Sequence, residues 1–107
     1  MKVKLSYEAK KDIIEIYNYI SLDSPKYARE TTEHIRSYIH KLEYSPYIGR
    51  YVPELLDKKY RELIYKSYRI VYNVSESTNT IYIHFILHSK RKFKSFFYSN
   101  IDNIFKF

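Results

Sequence analysis

Five side chains, from the middle of the chain onward, are of the types used in acid–base and phosphate chemistry. They are Glu54, Arg61, His88, Arg91 and Tyr98. Cleavage of an RNA phosphodiester without a metal needs a base for the ribose 2′-hydroxyl, a cation for the charged phosphorane and an acid for the leaving 5′-oxygen. Because RNA carries its own nucleophile, positioned side chains of these types are sufficient. Their spacing equally allows surface ion pairs and a histidine packed on a sheet.

Other chemistries lack the residues that they need. The chain has no cysteine, which excludes a disulfide scaffold, a thiolate metal site and a cysteine nucleophile. Gly49 is its only glycine, which argues against a glycine-rich phosphate-binding loop. His84 and His88 are four residues apart in a predicted strand, about 13 Å at ~3.3 Å per residue, which is too far for one metal ion. We therefore expect neither a metal nor another cofactor.

The positive charge is concentrated in the second half of the chain. The net charge is +7; residues 1–54 carry nine basic and eight acidic side chains, whereas residues 55–107 carry ten and four. Such a surface is typical of a protein that binds a polyanion, and the interleaved aromatic residues near the C-terminus suit RNA. An acidic protein partner would fit as well. The predicted RNA-binding lysines are Lys58, Lys59, Lys90, Lys92 and Lys94.

Length and hydropathy predict one soluble domain. A chain of 107 residues is the size of a single domain, so we assign residues 1–107 to one unit. No apolar run approaches the ~18 residues of a membrane span, and the N-terminal sequence MKVKLSYEAKK has no signal-peptide core. We expect a cytoplasmic protein with no membrane contact.

The first half of the chain predicts a strand followed by a helical hairpin. Residues 2–6 are typical of a short edge strand. Apolar residues then repeat at helical spacing over 7–21 and again over 25–42. Ser6 and Ser24 are good N-cap residues, and Pro25 suits the first helical position. The short connection between the helices predicts that they pack antiparallel.

The second half predicts strands and a final helix. A loop extends to Lys59, and strands follow at 60–66, 68–74 and 80–87. The resulting order, β-α-α-β-β-β, predicts an α+β fold with a mainly antiparallel sheet and the helical hairpin on one face. A helical stripe begins at Phe93, interrupted only at Asn100. It predicts a C-terminal helix that either packs on the domain or offers an apolar surface to a partner.

Strand alternation sorts the side chains between the two faces of the sheet. In the last strand, one face is predicted to meet the helices and consists of Ile81, Ile83, Phe85 and Leu87. Polar groups of neighbouring strands are expected to converge on the opposite face. Arg69 and Tyr72 are interpreted as structural and are left out of the catalytic set.

Three segments together carry a resemblance to a known family. They are GRYVPELL (49–56), YRELIYKSYRIVYNV (60–74) and IYIHFILHSKRKF (81–93). In this order they resemble the RelE/ParE superfamily of toxins from type II toxin–antitoxin modules, and the helical segments from residue 6 to residue 46 agree. The resemblance covers residues 2–93 and implies the β-α-α-β-β-β fold. It also implies neutralisation by a cognate antitoxin, which commonly wraps the toxin with an acidic, partly disordered segment.

The superfamily has two main activities, and the sequence carries features of both. RelE-like members cut mRNA in the ribosomal A site without a metal, whereas ParE-like members poison DNA gyrase and lack the catalytic set. The long helical hairpin and the Arg-Glu-Leu strand resemble ParE-like members. Arg91, Tyr98 and the Pro53-Glu54 pair resemble ribonuclease members.

The resemblance also has departures from the ribonuclease pattern. Lys58 and Lys59 are adjacent, whereas the ribonuclease members that rely on two loop lysines have them closely spaced but separated, and Arg61 matches the expected strand arginine only approximately. The interpretation favoured from sequence is ribosome-dependent mRNA cleavage, with Glu54 or His88 as base or acid and Arg61 and Arg91 on the phosphate. The alternatives are a gyrase inhibitor without enzymatic activity and a non-toxic relative that only binds a partner.

Overall fold

The computed structural model describes all residues, 1–107. Its strands are β1 (Lys2–Leu5), β2 (Arg50–Tyr51), β3 (Tyr60–Tyr65), β4 (Tyr68–Ser75) and β5 (Thr80–His88). Its helices are α1 (Tyr7–Ser21), α2 (Pro25–Lys41), α3 (Phe93–Ser99) and α4 (Ile101–Ile104). The predicted α+β fold and its element order are confirmed; the two-residue β2 lies inside the segment predicted as a loop.

Both helices of the hairpin begin at the N-cap residues predicted from the sequence. The Ser6 hydroxyl accepts the N–H of Ala9 at 3.0 Å, and the Ser24 hydroxyl accepts the N–H of Tyr27 at 3.1 Å. Each bond satisfies one of the amide groups that a helix leaves free at its start. The apolar stripes of α1 and α2 bury Ile13 and Ile35 against the sheet.

The five strands form one sheet in the order β1-β5-β4-β3-β2. Strand β1 pairs with β5 in parallel, and the other neighbours are antiparallel. Parallel pairing needs a long crossover connection, and residues 6–79 supply it here. β1 covers only the first half of β5, so the edge of β5 beyond Ile83 is open to α1.

A bulge in β5 changes which side chains face the helices. Val71 pairs with Phe85 and Tyr72 pairs with Ile83, so His84 is an extra residue on β5. Beyond the bulge the alternation is reversed. The prediction that Phe85 and Leu87 face the helical hairpin is therefore wrong, because they lie on the other face of the sheet while Ile86 takes the hairpin side.

The C-terminal segment covers the second face of the sheet. The predicted single helix is divided at Asn100 into α3 and α4. Phe93, Phe96 and Ile104 are buried against Phe85 and its neighbours in a second apolar core. Of the two interpretations of the aromatic stripe, packing on the domain agrees with the structure. The sheet thus has helices on both faces.

None of the helices combines the length and the hydropathy needed to cross a bilayer.

Candidate functional site

A tight turn before β2 fixes the edge of the sheet. The Tyr72 hydroxyl donates to the Pro46 carbonyl and accepts the N–H of Gly49, both at 2.9 Å. A Cβ atom at position 49 would lie 2.6 Å from the Tyr72 hydroxyl and 2.7 Å from the Glu62 carbonyl oxygen. Only glycine fits there, and the turn holds Arg50 beside Glu62. These contacts agree with the structural role interpreted for Tyr72.

Four charged side chains form a network on the second face of the sheet. The Arg69 Nε donates to Glu62 at 2.6 Å, and its two terminal nitrogens donate to the two oxygens of Glu54 at 2.8 and 2.6 Å. The second oxygen of Glu62 accepts from the Nε of Arg50 at 2.8 Å. The Arg69 guanidinium also lies over the Phe93 ring, 4.9 Å from its centre. Arg69 therefore ties the loop that holds Glu54 to the sheet and to α3.

The predicted base Glu54 is committed to this network. Its hydrogen bonds with Arg69 lower its pKa below the ordinary value of a glutamate. A carboxylate whose two oxygens are held by a guanidinium is a weaker proton acceptor than a free one, because protonation would break the ion pair. In this conformation Glu54 anchors the loop.

Arg61 lies on the opposite face of the sheet from Glu54. Its guanidinium donates to the carbonyl oxygens of Gly49 and Tyr47, at 2.9 and 3.3 Å, and rests on the ring of Tyr51 with 4.5 Å to the ring centre. These contacts fix the arginine on the loop before β2. Glu54 and Arg61 do not meet in this structure.

Three of the predicted residues line one cavity. His88, Lys90 and Arg91 face α1 across an open cavity of about 400 Å³. The N–H of Lys90 donates to the Nδ1 of His88 at 3.1 Å, and the N–H of Arg91 donates to the His88 carbonyl at 3.0 Å. This turn orients the imidazole, and it leaves the ring proton of neutral His88 on Nε2.

An acidic residue forms part of the same cavity. Asp12 of α1 is buried, and one of its oxygens accepts the N–H of Ile86 at 2.9 Å, at the edge of β5 that β1 leaves uncovered. Burial, together with a hydrogen bond to the Glu8 carboxyl group, raises the pKa of Asp12 to about 9. Asp12 is therefore protonated at neutral pH.

The remaining predicted residues are spread over the surface. Tyr98 is an exposed residue of α3. Lys58 lies 5.8 Å from the centre of the Tyr51 ring, and Lys59 pairs with Asp57 at 3.7 Å. Lys92 lines a shallow depression beside α3, and Lys94 is exposed on that helix. The structure does not bring these lysines together into one patch.

The other histidine of β5, His84, is structural in its contacts. Its Nδ1 donates to the carbonyl of Ile104 at 3.0 Å, and its Nε2 lies 2.5 Å from the side chain of Asn73. The atom of Asn73 that faces Nε2 is Oδ1, which cannot donate to a neutral ring that accepts there. The side-chain amide is therefore assigned the rotated orientation, in which its NH₂ donates to Nε2. Burial lowers the pKa of His84 to about 4.

Sequence reasoning missed Asp12 and the network partners Arg50 and Glu62, and it set Arg69 aside as structural. Strand alternation offered a signal for Glu62 and Arg69. It assigns each side chain to a face of its own strand, and only the register between β3 and β4 was then needed to bring the two together. No local pattern marks Asp12, since its partner Ile86 is 74 residues away.

Comparison with known families identifies the chain. A family model described as the ParE toxin of the type II toxin–antitoxin system parDE matches residues 3–93. The chain belongs to the ParE toxin family. The predicted resemblance to RelE/ParE toxins is confirmed. A search of curated proteins finds no match.

Two solved structures share the fold of this ParE-family toxin. One, described as the chromosomal ParDE toxin–antitoxin system from P. aeruginosa, is 22% identical with a TM-score of 0.70; the match covers 84% of this chain and 97% of that one. The other is the RelBE2 toxin–antitoxin complex from Mycobacterium tuberculosis, 15% identical with a TM-score of 0.62, covering 81% and 95%.

Proposed function

We propose that this ParE-family toxin inhibits DNA gyrase by binding it, without a reaction of its own. The observation that carries the proposal is the separation of the predicted catalytic groups. Glu54 is held by Arg69, Arg61 lies across the sheet, and Tyr98 lies on α3. A cleaving site needs its base, cation and acid around one phosphate, whereas inhibition by binding needs only a complementary surface.

The helical hairpin is the proposed contact with gyrase. It exposes large apolar side chains at Ile14, Tyr19 and Leu22, with Leu22 82% exposed. Exposed apolar groups on one element are typical of a protein-binding surface. The C-terminal helices are the alternative contact, since Ile101 and Tyr98 are also exposed there.

The test uses purified protein, DNA gyrase and supercoiled plasmid. We expect linear DNA to accumulate after detergent and protease treatment, only when gyrase and toxin are both present. Leu22→Asp should abolish the effect, whereas Ile101→Asp, the same change on the other surface, should retain it. Normal gyrase turnover without DNA breaks at excess toxin would contradict the proposal. If Ile101→Asp abolished the effect and Leu22→Asp retained it, the contact with gyrase would lie on the C-terminal helices.

An acidic antitoxin is the proposed neutralising partner. The two solved relatives are described as toxin–antitoxin systems, and a chain with a net charge of +7 suits an acidic segment wrapped around it. Coexpression with the product of the adjacent reading frame should restore growth and give a complex that elutes as one species. Growth arrest that persists despite a soluble neighbouring product would argue against that partner.

Ribosome-dependent mRNA cleavage is the second candidate function. The observation that favours it is the cavity shared by His88, Lys90 and Arg91, which joins an imidazole to two cations. In this candidate Arg91 stabilises the phosphate and His88 acts as acid or base; Glu54, Arg61 and Tyr98 would have to join them when ribosome and mRNA bind.

A cell-free translation reaction separates the two candidates. New 5′ ends inside codons of a defined mRNA, seen only with ribosomes, would support cleavage. Arg91→Ala should then abolish the cuts while the far-ultraviolet circular dichroism is unchanged. Uncut mRNA and continued translation would leave gyrase as the target.

A further inference from the structure

The cavity between α1 and the end of β5 is a site separate from the proposed gyrase contact, with which it shares only Tyr19. It lies beside the second half of α1 and has a volume of about 400 Å³, within the range of small-molecule sites, ~300–1,000 Å³. Its inner wall consists of Ile16, Ile86 and the buried carboxyl group of Asp12. Both a polar and an apolar part of a ligand can therefore be accommodated.

The inner wall carries no charge at neutral pH. Asp12 accepts the Ile86 amide and shares a hydrogen bond with Glu8, whose side chain is also buried. Burial, together with the neighbouring Glu8 carboxyl group, favours the neutral form of Asp12 by raising its pKa. An anionic ligand meets no repulsion from Asp12.

Two tyrosines give the cavity an aromatic part. Tyr19, which is 77% exposed, stands on α1, and Tyr68 stands on β4 with its ring edge-on to His88 at 5.2 Å between centres. An exposed tyrosine offers a flat apolar face on which a planar ring can stack. The cavity can therefore accommodate an aromatic ring.

Opposite charges stand at the rim. Lys90 and Arg91 lie at the end of β5, and Glu15 lies on α1. The ion pair of Glu15 is with Lys11 at 3.9 Å, and both side chains are about half exposed, so the carboxylate remains available to a ligand. His88 offers its Nε2 proton toward the same cavity. The rim suits a ligand with an anionic group at one end and paired donors at the other.

We propose that this cavity binds a guanine nucleotide. The phosphate would lie at Lys90 and Arg91, and the base would stack on Tyr19. Guanine presents two adjacent N–H donors on its Watson–Crick edge, N1–H and the exocyclic amine. The Glu15 carboxylate can accept both, whereas adenine and cytosine offer only a single exocyclic amine to it.

Calorimetric titration of the purified, full-length toxin tests the proposal without ribosomes or gyrase. The probes are guanosine 5′-monophosphate, adenosine 5′-monophosphate, guanosine and inorganic phosphate. We expect the guanine nucleotide to bind about tenfold more tightly than the adenine nucleotide, which is the discrimination that a bidentate base contact supplies. It should also bind about tenfold more tightly than guanosine, which lacks the phosphate, and than inorganic phosphate, which lacks the base. If a guanine-containing tetranucleotide binds still more tightly, the natural ligand is an oligonucleotide that contains guanine, and not a free mononucleotide.

Matched variants separate the base contact from the phosphate contact. Glu15→Gln should bring the affinities for the guanine and adenine nucleotides to within about twofold, whereas Glu33→Gln, an exposed glutamate of α2, should not. Arg91→Gln should weaken the guanine nucleotide about tenfold without changing guanosine, whereas Lys10→Gln on the outer side of α1 should change neither. Each control removes a charge of the same sign as its test variant, at a position outside the cavity.

Two results would overturn the proposal. Equal affinity for phosphate and for the guanine nucleotide would show that the cavity binds anions and does not recognise the base. The absence of any heat of binding at millimolar nucleotide would show that the cavity does not bind this ligand. Neither result bears on gyrase inhibition, which is measured separately by DNA breaks. Failure of the gyrase assay likewise leaves the nucleotide titration interpretable.

Discussion

Arg69 joins two carboxylates that belong to different parts of the chain. Its side chain is 12% exposed, and the Glu62 side chain is fully buried. Without Arg69, buried Glu62 would keep only the more exposed Arg50 as its counterion, and removing one partner of a buried pair costs more than the pair itself contributes. The arginine that the sequence marked as structural therefore organises the polar face of the sheet.

Arg69→Met should lower the free energy of unfolding by about 2–3 kcal/mol, because Glu62 and Glu54 lose their shared cation while Arg50 still pairs with Glu62. Urea denaturation at pH 7 measures it. The matched control is Arg61→Met, which loses hydrogen bonds to carbonyl oxygens and should cost about 1 kcal/mol. Equal losses in the two variants would show that the network has no special role in stability.

Asp12→Asn should stabilise the protein relative to the wild type, by an amount that grows as the pH rises. The pKa of Asp12 in the folded state, about 9, lies above its ordinary value, so the wild type must keep a proton that the unfolded chain releases above about pH 4. Wild-type stability therefore falls from pH 4 toward pH 9. Asparagine cannot ionise and can still accept the Ile86 amide.

The difference in the free energy of unfolding between the variant and the wild type should be near zero at pH 4 and about 5 kcal/mol in favour of the variant at pH 7.5. Urea denaturation at the two pH values measures it. Asp23→Asn, in the exposed turn between α1 and α2, is the control and should show no such trend. A constant difference at both pH values would mean that Asp12 is ionised in the folded protein.

At the scale of elements, α4 depends on one histidine of β5. α4 spans only Ile101–Ile104, and its last carbonyl accepts the Nδ1 proton of His84. The rings of Phe105 and Phe107 pack against the imidazole at 5.1 and 5.3 Å between centres. So short a helix is not stable by itself, and the contact with β5 holds it in place.

Acid should loosen this contact. The folded pKa of His84, about 4, lies below its ordinary 6.5, so the stabilisation is complete above pH 6.5 and is lost as the pH falls toward 4. The loss over that interval is about 3 kcal/mol. The difference in unfolding free energy between wild type and His84→Gln, measured from pH 4 to 7, isolates this histidine. An NMR titration midpoint of His84 near 6.5 would contradict it.

At the scale of the whole molecule, two apolar cores lie on the two faces of one sheet. The helical hairpin closes one, and the C-terminal helices close the other. The family model ends at residue 93, where α3 begins, so the cover over the second face lies almost wholly beyond the matched region. What remains open to partners is the outer side of the hairpin, the edge at β2 and the basic end of β5.

The positive charge should speed the capture of an acidic antitoxin. Replacing Lys90, Lys92 and Lys94 by glutamine should lower the association rate constant about tenfold at 50 mM salt and have little effect at 0.5 M salt. Stopped-flow mixing measures the rate. The matched triple variant at Lys2, Lys4 and Lys10 removes the same charge from the first half. Equal slowing by both triples would mean that net charge alone matters.

The features that depend on neighbours a few residues apart could be predicted from the amino-acid sequence. The caps at Ser6 and Ser24 and the apolar periodicity of α1 and α2 are local, so the hairpin was predicted nearly to its ends. The β-branched and tyrosine-rich segments predicted β3, β4 and β5, and the motifs from Gly49 to Phe93 predicted the family.

Contacts between residues that are distant in the chain could not be predicted in this way. The bulge at His84 moves Phe85 and Leu87 to the other face, because a shift of one residue reverses strand alternation. Glu54 pairs with Arg69 and not with Arg61. Asp12 accepts the backbone N–H of a residue 74 positions away. Such contacts depend on register and on the packing of helices over sheet edges, which no short stretch of sequence encodes.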